Sequence, residues 1–297
     1  MNGNTGLTLM VTGGSGFLGR YVLLQAAGRG HRAVALARSE TAAAAVAALG
    51  AVPVAGDLNE PRSLAEAFSA ARCDVLVNLA SLGFGHAPAI VAAAERSGIR
   101  RAVFVSTTAV ATTLPAASRR VRLNAEQRVR GSSLDWTLLR PTMIYGDAGD
   151  RNLSRLLALL RRAPVLPVPG RRHLQQPVHA ADAASAVVAA AERPAAAGHV
   201  YHVAGPEPLT FADLLRASAW AVGSRTRFVP VPLPPAVAAA RGYELLAAHP
   251  KIRAEQLLRL AEDKAFPIDQ ATRDLGYAPR PFPQGIQEEA RAIGLAP

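Results

Sequence analysis

The chain has little of several residue types that would narrow its chemistry at once. It has one cysteine, Cys73, in 297 residues. A lone thiol closes no internal disulfide, which suits a reducing cytoplasm. It has two lysines, Lys251 and Lys264, so nearly all of its 33 basic residues are arginines. Aromatic residues make up 5% of the chain, and the arginines are dispersed instead of gathered around them. Nucleic-acid grooves combine basic clusters with stacking aromatics, so nucleic acid is not expected as a partner. No apolar run reaches the length of a membrane span before a charge or a proline interrupts it. The opening MNGNTG has no basic segment running into an apolar stretch, so no signal peptide is expected. No metal is expected either.

What is abundant is apolar and basic. Half of the residues are hydrophobic and the formal net charge is +11. The length suits one large α/β domain with a smaller appended part. A positive field of this kind favours anionic ligands, such as a phosphorylated cofactor or substrate. A homodimer is left open, since one chain does not define an oligomeric state.

The informative stretch is Leu7 to Gly19, LTLMVTGGSGFLG. Leu7, Leu9 and Val11 alternate with other residues as in a strand, and Arg20 to Ala27 reads as a helix. Between them lie spaced glycines. Gly13 allows a sharp exit from the strand, Gly16 lets backbone approach a pyrophosphate, and Gly19 lets the helix pack closely on the sheet. Free N–H groups of the first helical turn then face the phosphates. Apolar strands alternate with helices through residue 108, with strands at 33–37, 51–55, 74–80 and 101–105. This predicts a parallel, doubly wound sheet, with ligands beyond the carboxyl ends of its strands. The second strand ends at Arg38, where an NAD site places an acid. An arginine there suits a 2′-phosphate, so NADP(H) is expected over NAD(H), which remains the alternative.

The motif TGGSGFLG resembles the short-chain dehydrogenase/reductase superfamily, in its extended and atypical branches. The resemblance covers essentially the whole chain. It implies a Rossmann fold with an NAD(P) site over 1–146 and a smaller substrate lobe, mainly 147–297, with 176–205 returning to the core. It implies cofactor contacts at Gly13, Ser15, Gly16, Phe17, Leu18, Gly19 and Arg38. Asp57 and Leu58 would lie beside the adenine, and Ala80, Ser106 and Thr107 along the ribose and nicotinamide. Arg140, Pro141 and Thr142 would run under the nicotinamide. By the same match Thr108 orients the substrate.

The family's acid/base pair, a tyrosine with a lysine four residues later, is absent. The residues four after Tyr21, Tyr145, Tyr201, Tyr243 and Tyr277 are Gln25, Gly149, Gly205, Ala247 and Pro281. With Ala125-Glu126 taken as the family's Ala-Glu, Arg122 stands at the lysine position and Ser118 at the tyrosine. Arg122 keeps a positive charge there for the cofactor ribose or phosphate and is, with Thr108, a catalytic candidate, whereas a serine cannot replace a phenol as a proton donor. His179 is a further candidate for a substrate contact. The expected function is an atypical oxidoreductase acting on a small organic or sugar-type substrate. The alternatives are a sugar-nucleotide epimerase or dehydratase, a redox-neutral isomerase or cyclase, or a non-catalytic dinucleotide-binding protein. The last resembles the nucleotide-binding accessory subunit of respiratory complex I.

Overall fold

A computed structural model describes residues 6–114, 117–247, 254–260 and 262–297. The reading of the opening as lacking a signal peptide falls mainly on residues outside these. In chain order the strands are β1 Thr8–Thr12, β2 Arg32–Ala37, β3 Val52–Ala55, β4 Val75–Asn78, β5 Arg101–Val105, β6 Asp135–Pro141, β7 Ile144–Tyr145, β8 Val165–Pro169, β9 Leu174–Gln175, β10 Val178–His179, β11 Val200–Val203, β12 Leu209–Thr210 and β13 Arg227–Val231. The α-helices are α1 Phe17–Gly28, α2 Glu40–Ala47, α3 Pro61–Ala71, α4 Ala87–Arg96, α5 Ala117–Arg130, α6 Leu153–Leu160, α7 Ala180–Glu192, α8 Phe211–Ala221, α9 Leu233–Leu246, α10 Ala254–Leu260, α11 Asp269–Leu275 and α12 Phe282–Ala292. None of the described helices is long and apolar enough to cross a membrane.

Chain contacts divide the protein into two units. The first holds residues 1–142, 180–203 and 267–278; the second holds 143–179, 204–266 and 279–297. The segment 267–278 therefore joins the sheet-bearing unit, although it had been expected in the C-terminal lobe. Its helix α11 packs on β11 and α7.

The first unit is a seven-stranded sheet in the order β11-β6-β5-β4-β1-β2-β3. Every pair in it is parallel, as the alternation of strands and helices requires. Met10, Leu76, Phe104 and Leu138 project from one face of the sheet. They pack with Leu64 and Phe68 of α3, Ile90 of α4 and Val129 of α5. Each such side chain contributes roughly 1.5–3 kcal/mol on burial. Helices α1 and α7 pack on each other, and α7 also lies on β4, β5 and β6. The alanines of α7 are buried, and their small side chains permit that close approach. At the end of α1, Glu192 of α7 accepts from Arg29 at 2.9 Å and pairs with His31 Nε2 at 2.9 Å.

The second unit has its own core, in which Tyr145, Leu153, Leu157, Leu214, Phe282 and Ile286 are buried. Three two-stranded pieces, β10-β7, β12-β9 and β13-β8, lie around it. Thr210 caps α8 by accepting the Asp213 N–H at 3.1 Å.

Candidate functional site

The glycine turn sits at the carboxyl end of β1, in the middle of the parallel sheet. Gly13 has φ +74°, and a Cβ there would stand 3.0 Å from Ala80 N. Only glycine takes that backbone shape beside the β4 exit. The division of labour among the other glycines differs from expectation. A Cβ on Gly14 would meet Ala35 Cβ at 3.3 Å and Leu23 Cδ1 at 3.4 Å, so Gly14 brings the turn close to β2 and α1. A Cβ on Gly19 would collide with the carbonyl oxygens of Gly13 and Gly14. Gly19 therefore admits the turn itself, and the spacing against the sheet falls to Gly14.

Gly16 is the N-cap of α1, with no side-chain cap and no acid in the first turn. The first-turn N–H groups have no carbonyl within the helix to accept them. A Cβ on Gly16 would find only Gly13 O, at 3.2 Å, within contact range. Ser15 and Gly16 are exposed. Phe17 packs edge-on against Tyr21 at 5.8 Å. Leu18 lines an apolar hollow with Val105, Leu139, Pro141 and Val203.

The β4 exit is locked to this turn by two buried polar groups. Thr12 Oγ1 donates to Asn78 Oδ1 at 2.6 Å, and Asn78 Nδ2 donates to Ala80 O at 3.1 Å. The second bond fixes the peptide at Ala80, which faces Gly13.

Arg38 follows β2 and is exposed. Ser39 behind it caps α2, accepting from Ala42 N at 3.2 Å. Asp57 does not cap α3, whose N-cap is Glu60. Its Oδ1 accepts the Asn59 N–H at 2.9 Å and the Asn59 side-chain amide at 3.0 Å. The Asn59 N–H holds the Asp57 carboxyl below its ordinary value, and Arg38 and His86 add to this. Leu58 is half-buried against the core of the first unit.

At the ends of β5 and β6 the polar side chains converge on one acid. Ser106 and Arg140, expected to line the cofactor, are both engaged by Glu126 of α5. Ser106 Oγ donates to Glu126 Oε1 at 2.6 Å, and Arg140 Nε donates to the same oxygen at 3.0 Å. Arg140 Nη2 donates to the other oxygen, Oε2, making a bidentate pair. His202 lies opposite Arg140 across the β6–β11 ladder. Burial, and then the Arg140 charge, lower its pKa.

Thr107 Oγ1 accepts the Ala109 N–H at 3.2 Å. Thr108, expected to face substrate, is 9% exposed, and its hydroxyl donates to Pro141 O at 3.3 Å. Thr142 is buried and its N–H donates to Val203 O at 3.0 Å. Sequence reasoning used Glu126 only as a landmark and missed its role as the anchor of this cluster. The available signal was an acid in a helix otherwise dominated by arginine.

Helix α5 begins one residue before Ser118. Arg122, one turn on, lies against the β4 exit: a Cβ on Gly83 would stand 3.2 Å from its Nε and 3.3 Å from its Nη2. His179 is not presented as a surface contact of the second unit. It is 6% exposed, with its ring 5.4 Å from that of Tyr145. Among the described residues, no group of three or more His, Cys, Asp or Glu could hold a metal ion.

A glycine turn, an uncapped helix N-terminus and a parallel sheet together describe a dinucleotide-binding unit. Residues 13–194, more than half of the chain, match the NAD(P)H-binding family, and the chain belongs to it. The 4-hydroxy-2-methyl-3-oxo-4-farnesyl-3,4-dihydroquinoline-1-oxide ketoreductase of Stigmatella aurantiaca is 32% identical, over 96% of each chain. Subunit 9 of the NADH dehydrogenase [ubiquinone] 1 alpha subcomplex from Dictyostelium discoideum is 27% identical, over 71% of this chain and 63% of that protein. A solved NADPH-dependent quinone oxidoreductase of Escherichia coli shares the fold, with a TM-score of 0.73 at 19% identity over 94% of this chain and 98% of the other. The protein is an atypical, reductase-like member of the short-chain dehydrogenase/reductase superfamily. It is an enzyme of the NAD(P)-dependent oxidoreductase or epimerase type.

Proposed function

We propose that the protein is an NADPH-dependent reductase of a small organic or sugar-type carbonyl compound, with proton delivery that does not use a tyrosine. The observation that carries this is the uncapped N-terminus of α1 at the glycine turn, with the exposed Arg38 at the end of β2. The residues fit a dinucleotide, because the space beside Gly16 that a side chain would fill is left open. The N–H groups of the first α1 turn would hold the pyrophosphate. Arg38 would take the 2′-phosphate, and Leu58 would lie against the adenine. When bound, the nicotinamide supplies hydride at its C4. Ala80, Ser106, Thr107 and the Arg140-Pro141-Thr142 segment would form its bed. Ser106 has given its hydrogen to Glu126, so it offers only lone pairs. A cytoplasmic location agrees with the single thiol.

Dinucleotide titration tests this reading. NADPH should bind more tightly than NADH, on the order of tenfold for one charge-assisted phosphate contact. Arg38→Asp should reverse the order, and Gly16→Val should abolish binding in a folded protein. Equal affinities for the two cofactors in the parent would remove the role given to Arg38.

Without the tyrosine, generic ketones, aldehydes and sugar nucleotides should oxidise NADPH slowly, since acid/base catalysis contributes about 10²–10⁴-fold.

A further inference from the structure

On a helix surface a cation pairs naturally with an acid four residues away. For Arg122 that acid is Glu126, and it is already taken. Arg140 holds Glu126 bidentately, Ser106 donates to it, and Arg130 stands at 3.8 Å. Among the described residues, Arg122 has no hydrogen-bond or ion-pair partner. Its guanidinium is always charged and carries five donors in a rigid fork. It is half-buried, so these donors are partly withdrawn from water.

The neighbourhood is shaped around this group. Gly83, in the short turn Leu82–Phe84 after β4, leaves the space that any Cβ would take from Nε and Nη2. Ser81 Oγ stands 3.3 Å from the same Cβ position. It accepts the Gly83 N–H at 3.2 Å, which leaves its own hydrogen to donate. Phe84 on the same turn is 76% exposed, with its ring 6.4 Å from the His86 imidazole. An unpartnered cation, a hydroxyl donor and an uncovered aromatic ring thus come from two elements of the first unit.

We infer that Arg122 and Ser81, meeting across Gly83, recognise an anionic oxygen on the substrate, a carboxylate carried by a flat apolar body. The inference rests on the reductase reading for the word substrate. The same chemistry would also take a phosphate oxygen of the cofactor, and the experiment separates these sources.

Benzoate and its uncharged isostere benzamide are titrated into NADPH-saturated protein. Benzoate should bind at least about tenfold more tightly, the scale of one charge-assisted bidentate contact. Arg122→Gln should bring the ratio close to one, and Arg122→Lys should retain part of it. Gly83→Ala should also lower the ratio, by crowding the guanidinium, and it provides the test if Arg122→Gln does not fold. Equal binding of the two probes by the parent overturns the inference, as does an undiminished benzoate preference in Arg122→Gln. Loss of NADPH affinity in Arg122→Gln, with no benzoate preference in the parent, overturns the substrate assignment and gives the anionic oxygen to the cofactor. A parent that binds no NADPH defeats the reductase reading alone. Benzoate against benzamide on the unliganded protein then still decides the role of Arg122.

Discussion

Glu126, in the sheet-bearing unit, and Glu289, in the second unit, are 2% and 0% exposed. The first is surrounded by donors: Arg140 grips both oxygens and Ser106 adds a hydroxyl. Among the described residues no cation pairs with the second. It faces another carboxyl, that of Asp150, to which its own O–H donates, and the Gly146 N–H. Burial, and then the neighbouring Asp150, push the Glu289 pKa up to about 9. Asp150 is itself buried, and it caps the start of α6 by accepting from Asn152 N at 2.6 Å and Leu153 N at 2.9 Å. One buried carboxyl is thus gripped by an arginine, and the other holds its proton well above the ordinary carboxylate range. The arginine-bound carboxyl stands at the strand ends that form the candidate site, where it orders two side chains. The neutral one closes α12 onto its own core.

The comparison breaks most sharply at Glu126. Glu126→Ala removes both acceptor oxygens that face Arg140 and leaves a half-buried guanidinium unpaired. Removing one member of a buried pair costs about 3–5 kcal/mol. Urea unfolding should show that loss as a lower midpoint with an unchanged slope. A loss below about 1 kcal/mol would mean that water, not Glu126, satisfies Arg140.

Glu289 should respond to pH instead. Its folded pKa is raised from an ordinary 4.5 to about 9. Between those values the unfolded chain holds fewer protons than the folded one, so stability falls as pH rises. The contribution is fully present below pH 4.5 and is lost on passing through about 9, at a steepest slope of about 1.4 kcal/mol per pH unit. Glu289→Gln cannot ionise. It should flatten the profile and gain on the parent as pH increases. Parallel profiles for parent and variant, measured by denaturant unfolding from pH 5 to pH 9, would show that Glu289 is not the group titrating.

The same two residues show what the sequence could and could not reveal. The strands, the glycine turn and the parallel sheet were legible, because apolar periodicity and glycine geometry are local. Arg140 and Ser106 were read as cofactor lining. Their partner lies 14 and 20 residues away along the chain, a distance at which side-chain pairing leaves no periodic trace. Glu289 carried a signal that was not used. Phe282, Gly285, Ile286, Glu289 and Ala290 are the buried positions of α12, and this is the i, i+3, i+4, i+7, i+8 stripe of a core-facing helix. Its neighbour Glu288 lies off that stripe and pairs with Arg280. Gly285 was also unread: it leaves room for the Tyr145 hydroxyl, which any Cβ there would strike.

Ser106→Ala sharpens the comparison at smaller scale. It deletes one charge-assisted donor to Glu126 and leaves the arginine in place. A hydrogen bond to a charged group is worth about 1.5–3 kcal/mol. The loss in the folding midpoint should therefore be smaller than for Glu126→Ala. In the double variant the two losses should add to less than their sum, since Ser106 has no acceptor once Glu126 is gone. Full additivity would show that the two side chains act independently.

The smallest effect belongs to the outermost charge on Glu126. Arg130 Nη2 stands 3.8 Å from Oε2, at i,i+4 on α5, with its side chain 44% exposed. That distance is beyond a hydrogen bond, and solvent screens the pair. Exposed pairs of this kind give about 0.3–0.5 kcal/mol. Arg130 also stacks over Trp136, with its guanidinium carbon 5.7 Å from the ring centroid, which is worth about 0.5–1 kcal/mol at an exposed site. It lies in the last turn of α5, where a cation complements the helix dipole. Arg130→Ala should therefore cost about 1 kcal/mol. Salt separates its parts: raising the ionic strength to about 1 M shortens the screening length to about 3 Å. Most of the pair and dipole contribution should disappear there, leaving the contact with Trp136. If Arg130→Ala instead cost as much as Glu126→Ala at both salt concentrations, Arg130 would be a principal partner of Glu126. The buried carboxylate would then be held from the helix surface and not from the sheet by Arg140.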